Sequence, residues 1–230
     1  MNQRDTELFK DNRMYTVEKY KSHEDWLINR GHGIGGSDAA SIVNLNPFKT
    51  LRELWNEKKY GSEPFTNEAI QYGVIAEDGL RTLYKAKHPG RIVEHMEDTV
   101  LVSNEHPFIR YSPDGLIIDE DGRKGILEIK TATSRKYTEW FEKDDEGRYT
   151  IPRVPDNYYI QTLHGLLVTG FDFVNYICEL RYEDGHSIVI ERDYTKEEAI
   201  DTLEWLLEQE IEVWEKYFEA DIEPPIMISL

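Results

Sequence analysis

The sequence has almost no cysteine: Cys178 is the single one in 230 residues. A disulfide within the chain is therefore excluded, and so is a zinc or iron-sulfur centre built on several thiolates. Cys178 itself lies in an apolar, strand-like run (171–180) and reads as a packed core thiol. Histidine is scattered. His23, His32, His88, His95, His106, His164 and His186 show no HxxxH or HxH spacing, which leaves a His-rich metal site unsupported and carboxylates as the candidate ligands. No apolar run reaches the length of about eighteen residues that a membrane span needs, and Met1 to Lys10 is polar. The expectation is a cytoplasmic chain without signal peptide or membrane contact. Basic residues are also in deficit, 27 Lys and Arg against 45 Asp and Glu, for a net charge of −18. Phosphate contacts need Lys and Arg, so this balance argues against a protein that coats nucleic acid non-specifically. It does not exclude an enzyme with a local basic channel.

What is present is enough for a full core. Hydrophobic residues make up 39% and aromatic residues 12%, with five Trp and fourteen Tyr. The expected division is a polar N-terminal extension over 1–22, one domain over 23–222 and a C-terminal tail over 223–230. No repeat, low-complexity stretch or linker-like composition interrupts the domain. Helices are expected over 22–31, 47–61, 66–87, 131–141, 155–168 and 195–220. Strands are expected over 91–93, 99–103, 108–111, 171–180 and 185–193, with a charged loop over 143–153.

The centre of the sequence is the stretch from Ser112 to Lys130. Ser112-Pro113-Asp114-Gly115 leads into apolar residues 116–118, a polar turn containing Gly122, and Gly125-Ile126-Leu127-Glu128-Ile129-Lys130. This pattern predicts a hairpin. The two-residue period puts Ile126, Glu128 and Lys130 on one face and Leu127, Ile129 and Thr131 on the other. An Asp on one strand with a Glu and a Lys on its neighbour can bind a hard divalent cation and hold a water for attack on phosphorus. The plainer reading is a half-exposed strand edge carrying a Glu/Lys pair.

Three other stretches carry candidates. Gly31 to Gly36 is a glycine-rich turn running into a helix at Ser37 and Asp38, with Arg30 just before it. It reads either as an anion pocket or as a tight turn in which Ser37 or Asp38 only caps the helix. Glu77 falls within the stripe Ala69, Gly73, Ala76, Leu80, Leu83 and Tyr84, so it either reaches solvent at the margin or joins Asp114 and Glu128. Tyr158 and Gln161, one turn apart, can hydrogen-bond a phosphate or base, or lie on the surface.

Taken together and in order, Arg30-x(3)-Ile34-x(2)-Ser37-Asp38, Gly73 to Glu77, Ser112-Pro113-Asp114-Gly115, Glu128-Ile129-Lys130 and Tyr158-x(2)-Gln161 resemble the YqaJ-type viral recombinases. This is the family of the phage lambda exonuclease, and the resemblance covers roughly residues 24–180. It implies an α/β (α+β) chain with a central mixed β-sheet flanked by helices, the PD-(D/E)XK restriction-endonuclease-like fold. It implies that Glu77, Asp114, Glu128 and the carbonyl of Ile129 ligate Mg²⁺, two ions with Mn²⁺ as a substitute, and that Lys130 positions the attacking water. Arg30, Ser37, Ser112 and Gln161 match residues that hold a 5′-terminal phosphate, and Tyr158 matches a tyrosine beside the site. The implied activity is 5′ to 3′ digestion of one strand at double-stranded DNA ends, exposing a 3′ strand for a phage single-strand annealing protein in the host bacterial cytoplasm. Ring-shaped homo-oligomers, a trimer favoured, go with it. The alternatives are a related endonuclease or single-strand nuclease, and an inactive DNA- or protein-binding module with the same fold. A DNA channel in so acidic a chain requires converging bases, for which Lys49, Arg52, Lys58, Lys59, Arg135 and Lys136 are candidates. A strand-separating wedge is expected within 46–66.

Overall fold

Alternating apolar residues around the Ser112–Lys130 stretch dictate the centre of the molecule. The computed structural model describes residues 8–61 and 66–226. In chain order the elements are β1 (Tyr15–Lys19), α1 (His23–Arg30), α2 (Gly36–Ile42), α3 (Leu51–Tyr60), α4 (Glu68–Lys87), β2 (Ile92–Glu94), β3 (Thr99–Ser103), β4 (Arg110–Tyr111), β5 (Gly115–Ile118), β6 (Lys124–Thr133), α5 (Tyr137–Trp140), β7 (Phe141–Lys143), β8 (Tyr149–Pro152), α6 (Asp156–Thr169), β9 (Phe173–Arg181), β10 (Ser187–Thr195) and α7 (Ile200–Val213).

Five strands make a mixed sheet in the order β10-β9-β6-β5-β2, with β6 and β9 parallel and the other pairs antiparallel. A parallel pair needs a long crossover, and α6 lies within the one that joins β6 to β9. β1-β3-β4 form a second sheet and β7-β8 a ribbon. Side-chain alternation on β6 divides the core in two. Leu127 and Ile129 pack with Ile117, Ile177 and the α4 residues Leu80 and Tyr84. Ile126 packs with Leu116, Val174, Tyr176 and the α6 residues Ile160, Leu163 and Leu166. The sheet thus lies between α4 and α6, and burial of each such side chain stabilises it by about 1.5–3 kcal/mol.

Local chemistry sets the ends of the elements. Ser22 Oγ accepts from Asp25 N at 3.1 Å, and Asn67 Oδ1 accepts from Ile70 N at 2.9 Å. Thr50 and Glu53 cap α3 reciprocally. Each such cap contributes about 1 kcal/mol. The β5–β6 turn is closed by Asp119, whose Oδ1 accepts from Asp121 N and Arg123 N, and Gly122 takes the left-handed φ of 81° that the turn requires.

The structure departs from the sequence expectations in five places. The stretch expected as an N-terminal extension contributes β1, paired with β3, and Leu8, Phe9 and Tyr15 are buried, because these few apolar residues meet the sheet together. Residues 131–133, expected to begin a helix, continue β6, because the parallel register with β9 runs on to Thr133↔Arg181. The charged loop over 143–153 contains β8, which pairs with β7 through the alternation of Tyr149 and Ile151. Strand 108–111 shortens to Arg110–Tyr111, with Ile109 making an isolated bridge to Ile34. The last helix is a 3₁₀ turn (Glu197–Ala199), α7 and a π-helical turn (Trp214–Glu219) rather than one uniform helix. Among the described residues no helix is long and apolar enough to cross a membrane.

Candidate active site

The hairpin forms as the sequence predicts. Leu116 pairs with Ile126 and Gly115 with Leu127, so the chain at Asp114 stands beside Glu128 and Ile129. Asp114 Oδ2 accepts from the Ile129 amide at 2.8 Å, which continues the ladder past its last backbone pair. The backbone of Asp114 is fixed from the other side: Arg81 of α4, 5% exposed, donates from Nε to the Asp114 carbonyl at 2.9 Å.

Glu128 is 1% exposed, yet every side of its carboxylate is met. Oε1 accepts from Lys130 Nζ and, at 2.5 Å, from Gln161 Nε2 of α6, and Oε2 accepts from the Tyr111 hydroxyl at 3.0 Å. Burial, reinforced by the charge of Asp114 and resisted by Lys130, pushes the Glu128 carboxyl up to about 7. For Lys130 burial acts downward, but the carboxylates of Glu128 and Asp114 outweigh it and the ammonium form is favoured. Lys130 Nζ also stands over the Tyr158 ring, 5.1 Å from its centroid. The lysine that the sequence singled out therefore meets the Glu128 carboxylate, and the tyrosine meets that lysine.

The expected convergence of three carboxylates is not what the structure shows. Among the described residues no three acidic, His or Cys side chains are grouped closely enough to hold a metal ion. The reason is topological. Glu128 shares the face of β6 with Ile126, toward α6, whereas Glu77 rides on α4, which covers the opposite face. Glu77 turns to Arg81, the same side chain that holds the Asp114 carbonyl. Asp114 lies between the two faces. Its charge raises the pKa of Glu77, after burial and against Arg81, and likewise that of Glu128. Carboxylates that repel one another in a poorly solvated corner match a hard divalent cation in donor type, and Asp114 with Glu128 on adjacent strands is the pair that fits. Glu77 would fit only after leaving Arg81.

The glycine turn meets this corner from the α6 side. Gly35, Gly36, Ser37, Ser112 and Gln161 line one small cleft with Arg110 and Tyr111, so three of the expected phosphate-binding side chains do come together. Asp38 braces the turn, accepting from Gly35 N at 3.0 Å and pairing with Lys58 at 2.8 Å. The cap itself is Gly35 rather than Ser37 or Asp38; Asp38 lies in the first turn of α2 and reaches back to the Gly35 amide, an arrangement that coexists with the cleft. Ser112 Oγ donates to the Thr99 carbonyl at 3.0 Å and accepts from Trp26 Nε1 at 3.2 Å. Arg30 ends α1, and its side chain lies outside the described residues.

Sequence reasoning missed three residues here, and a buried acid elsewhere. Arg81 sits four after Glu77, the helical spacing that puts a base beside an acid. Tyr111 immediately precedes the Ser112-Pro113-Asp114-Gly115 motif. His95 Nδ1 is buried without a hydrogen-bond partner, and its pKa is lowered by burial and by Arg81, against a smaller upward pull from Asp114. Glu94, 3% exposed, accepts from Leu8 N at 2.9 Å. The six bases expected to line a channel are all engaged with acids: Lys49 with Glu57, Arg52 with Glu223, Lys58 with Asp38, Lys59 with Asp221, Arg135 with Glu183 and Lys136 with Glu139. Of the region 46–66, α3 occupies 51–60, and 62–65 lie outside the described residues.

Comparisons with known proteins give the family and the fold. The family model for the YqaJ-like viral recombinase domain matches residues 25–172, a span that holds all the candidate residues named above from Arg30 to Gln161. An uncharacterized protein, YqaJ, of Bacillus subtilis (strain 168) is 34% identical over 200 residues, 84% of this chain. The chain spans 56% of that relative's length. Among solved structures, an alkaline exonuclease (LHK-Exo) from Laribacter hongkongensis superposes with a TM-score of 0.51 at 18% identity, over 86% of this chain and 98% of the other. A phage-related exonuclease from Haemophilus somnus 129PT gives 0.55 at 15% identity, over 85% and 99%. At such identities the likeness establishes the fold, that of phage-exonuclease-type nucleases.

Proposed function

Since the chain belongs to the YqaJ-like viral recombinase family, we propose that it is a metal-dependent deoxyribonuclease that digests linear duplex DNA from its ends. The observation that carries this is Gln161. It lines the cleft with Ser37 and Ser112 and donates to Glu128 Oε1, so a small polar cleft and a carboxylate corner share one side chain. The alkaline exonuclease and the phage-related exonuclease with the same fold support the reaction class.

Asp114, Glu128 and the Ile129 carbonyl would hold the cation, Mg²⁺ with Mn²⁺ able to replace it, and Glu77 would add a second site on release from Arg81. A cation held there supplies Lewis-acid activation of the scissile phosphodiester. Lys130, held as an ammonium beside Glu128, orients the attacking water. Ser37, Ser112, Gln161 and Arg30 hold the terminal 5′-phosphate and so set which phosphodiester meets the corner. Breaking the P–O3′ bond releases a 5′-mononucleotide and leaves a new 5′-phosphate on the strand. The same cleft then receives the next end, which gives 5′ to 3′ movement and exposes the 3′ strand for a single-strand annealing protein. A ring-shaped homo-oligomer, a trimer first, follows from the family resemblance.

The test is digestion of 5′-phosphorylated linear duplex with and without Mg²⁺, beside Glu128→Ala and a 5′-hydroxyl duplex. Mononucleotide release that needs Mg²⁺, Glu128 and the 5′-phosphate is expected. Equal rates on both ends remove the cleft's role, cutting of closed circular duplex points to an endonuclease, and no cutting at all points to a binding module.

A further inference from the structure

We propose that Tyr111 is a positioning residue for Glu128, its hydroxyl fixing the carboxylate so that Oε1 faces the cleft. The inference rests on the reading of Asp114 and Glu128 as the cation-holding pair. Tyr111 is 1% exposed and donates to Glu128 Oε2 at 3.0 Å, while Oε1 is the oxygen that meets Lys130 and Gln161. A carboxylate bound at one oxygen by a buried hydroxyl loses the freedom to rotate, and that orientation is what a ligand to a hard cation needs.

The fold makes room for this ring at specific cost. A Cβ at Gly36 of α2 would come within 3.1 Å of Tyr111 Cδ2 and Cε2, and one at Gly165 of α6 within 2.7 Å of Tyr111 Cζ. Two helices thus present a bare backbone to opposite parts of a single aromatic ring. The strand beneath is pinned as well. The neighbouring Arg110 donates its N–H to the Ile34 carbonyl at 2.9 Å, and its carbonyl meets His164 Nε2 at 2.8 Å. Tyr111 itself is paired with Leu101 of β3. Burial, then the charges of Glu128 and Asp114, hold the phenol well above its ordinary pKa, consistent with a hydroxyl that stays a donor. A phenylalanine would fill the same space; the hydrogen bond to Glu128 is what the tyrosine adds.

The experiment is a Mn²⁺ titration of the full chain, wild type against Tyr111→Phe, followed by electron paramagnetic resonance of free Mn²⁺ and, in parallel, by cleavage rate at each Mn²⁺ concentration. Tyr111→Phe is expected to weaken Mn²⁺ binding about tenfold, with the rate recovering at saturating Mn²⁺. Gly165→Ala, which keeps the hydroxyl but crowds the ring from α6 and lies outside the cleft, is expected to weaken binding in the same direction by a smaller factor, and it decides alone if Tyr111→Phe does not fold. Wild-type affinity in the variant that folds, or a rate that saturating Mn²⁺ does not restore, overturns the assignment. Wild-type protein that takes up no Mn²⁺ overturns the cation reading on which it stands, an outcome distinct from the first.

Discussion

Among the described residues the two most deeply buried glutamates lie in regions that treat them differently. Glu128 in the hairpin is 1% exposed and Glu210 on α7 is 0% exposed. Glu210 has one close partner, His164 of α6, whose Nδ1 lies 2.7 Å from Oε1, and the imidazole passes on through Nε2 to the Arg110 carbonyl. Glu128 is met by an ammonium, an amide and a phenol, yet Asp114 beside it adds a like charge that raises its pKa. The first arrangement ties two helices to a strand. The second concentrates negative charge beside a cleft, where nothing in the packing requires it. Burial of a carboxylate therefore does not mark a site by itself; a second acid in the same corner and an opening beside it do.

The largest effect that separates the two regions is on activity. Glu128→Gln is expected to lower nuclease activity on the order of 10³-fold, the several kcal/mol of charge stabilisation that a held cation supplies, while the melting temperature stays near that of the wild type. A variant that unfolds instead would make Glu128 a structural residue like Glu210. Conversely, Glu210→Ala leaves His164 buried without its partner. The expected loss is about 3–5 kcal/mol, read as a melting temperature lower by roughly 10 °C, with the rate per folded molecule unchanged.

Arg110 and Tyr111 join the two regions as consecutive residues, one meeting His164 and the other Glu128. Gly165→Ala drives a methyl group into the Tyr111 ring and should disturb both at once, at about 1–3 kcal/mol in stability. Chemical denaturation and cleavage assays on the same sample test this, and a stability loss with full activity would show that the regions are separable. The smallest effect is on pH. Burial lowers the His164 pKa, but Glu210 outweighs it, helped by the hydrogen bond to Arg110 and by the charge of Asp38, and the net shift is upward. Below the ordinary value of 6.5 folded and unfolded chains both carry the proton, and the pair contributes fully. As pH rises through the raised folded value, that contribution is lost. Melting curves from pH 6 upward should therefore fall more steeply for the wild type than for Glu210→Gln, and parallel curves would contradict it.

Much of the carboxylate corner was legible because it follows local rules. The two-residue period of β6 put Glu128 and Lys130 together, and the turn at Gly122 placed Asp114 beside them. The glycine turn and Gln161 were each ambiguous alone; only the packing of α2 on α6 made them one cleft. Glu77 was placed by helical spacing, which locates a residue on α4 but not which face of the sheet α4 covers. Glu210 was hidden for the opposite reason. α7 carries so many acids that its outward Glu residues read as solvated, yet Glu210 stands seven residues after Leu203 and four after Leu206, on the buried stripe. An acid at an apolar position was the available signal, and its partner, 46 residues away in sequence, was not. β1 was missed because pairing with β3 is a contact across more than eighty residues that short-range patterning does not report.

The account depends on a cation lying between Asp114 and Glu128. Anomalous diffraction from crystals grown with Mn²⁺ measures that directly. It should show a peak about 2.0–2.2 Å from a carboxylate oxygen of each residue, lost in Asp114→Asn. Mn²⁺ found only elsewhere, or Lys130 still closing on Glu128 with no peak between the two acids at saturating Mn²⁺, would contradict it.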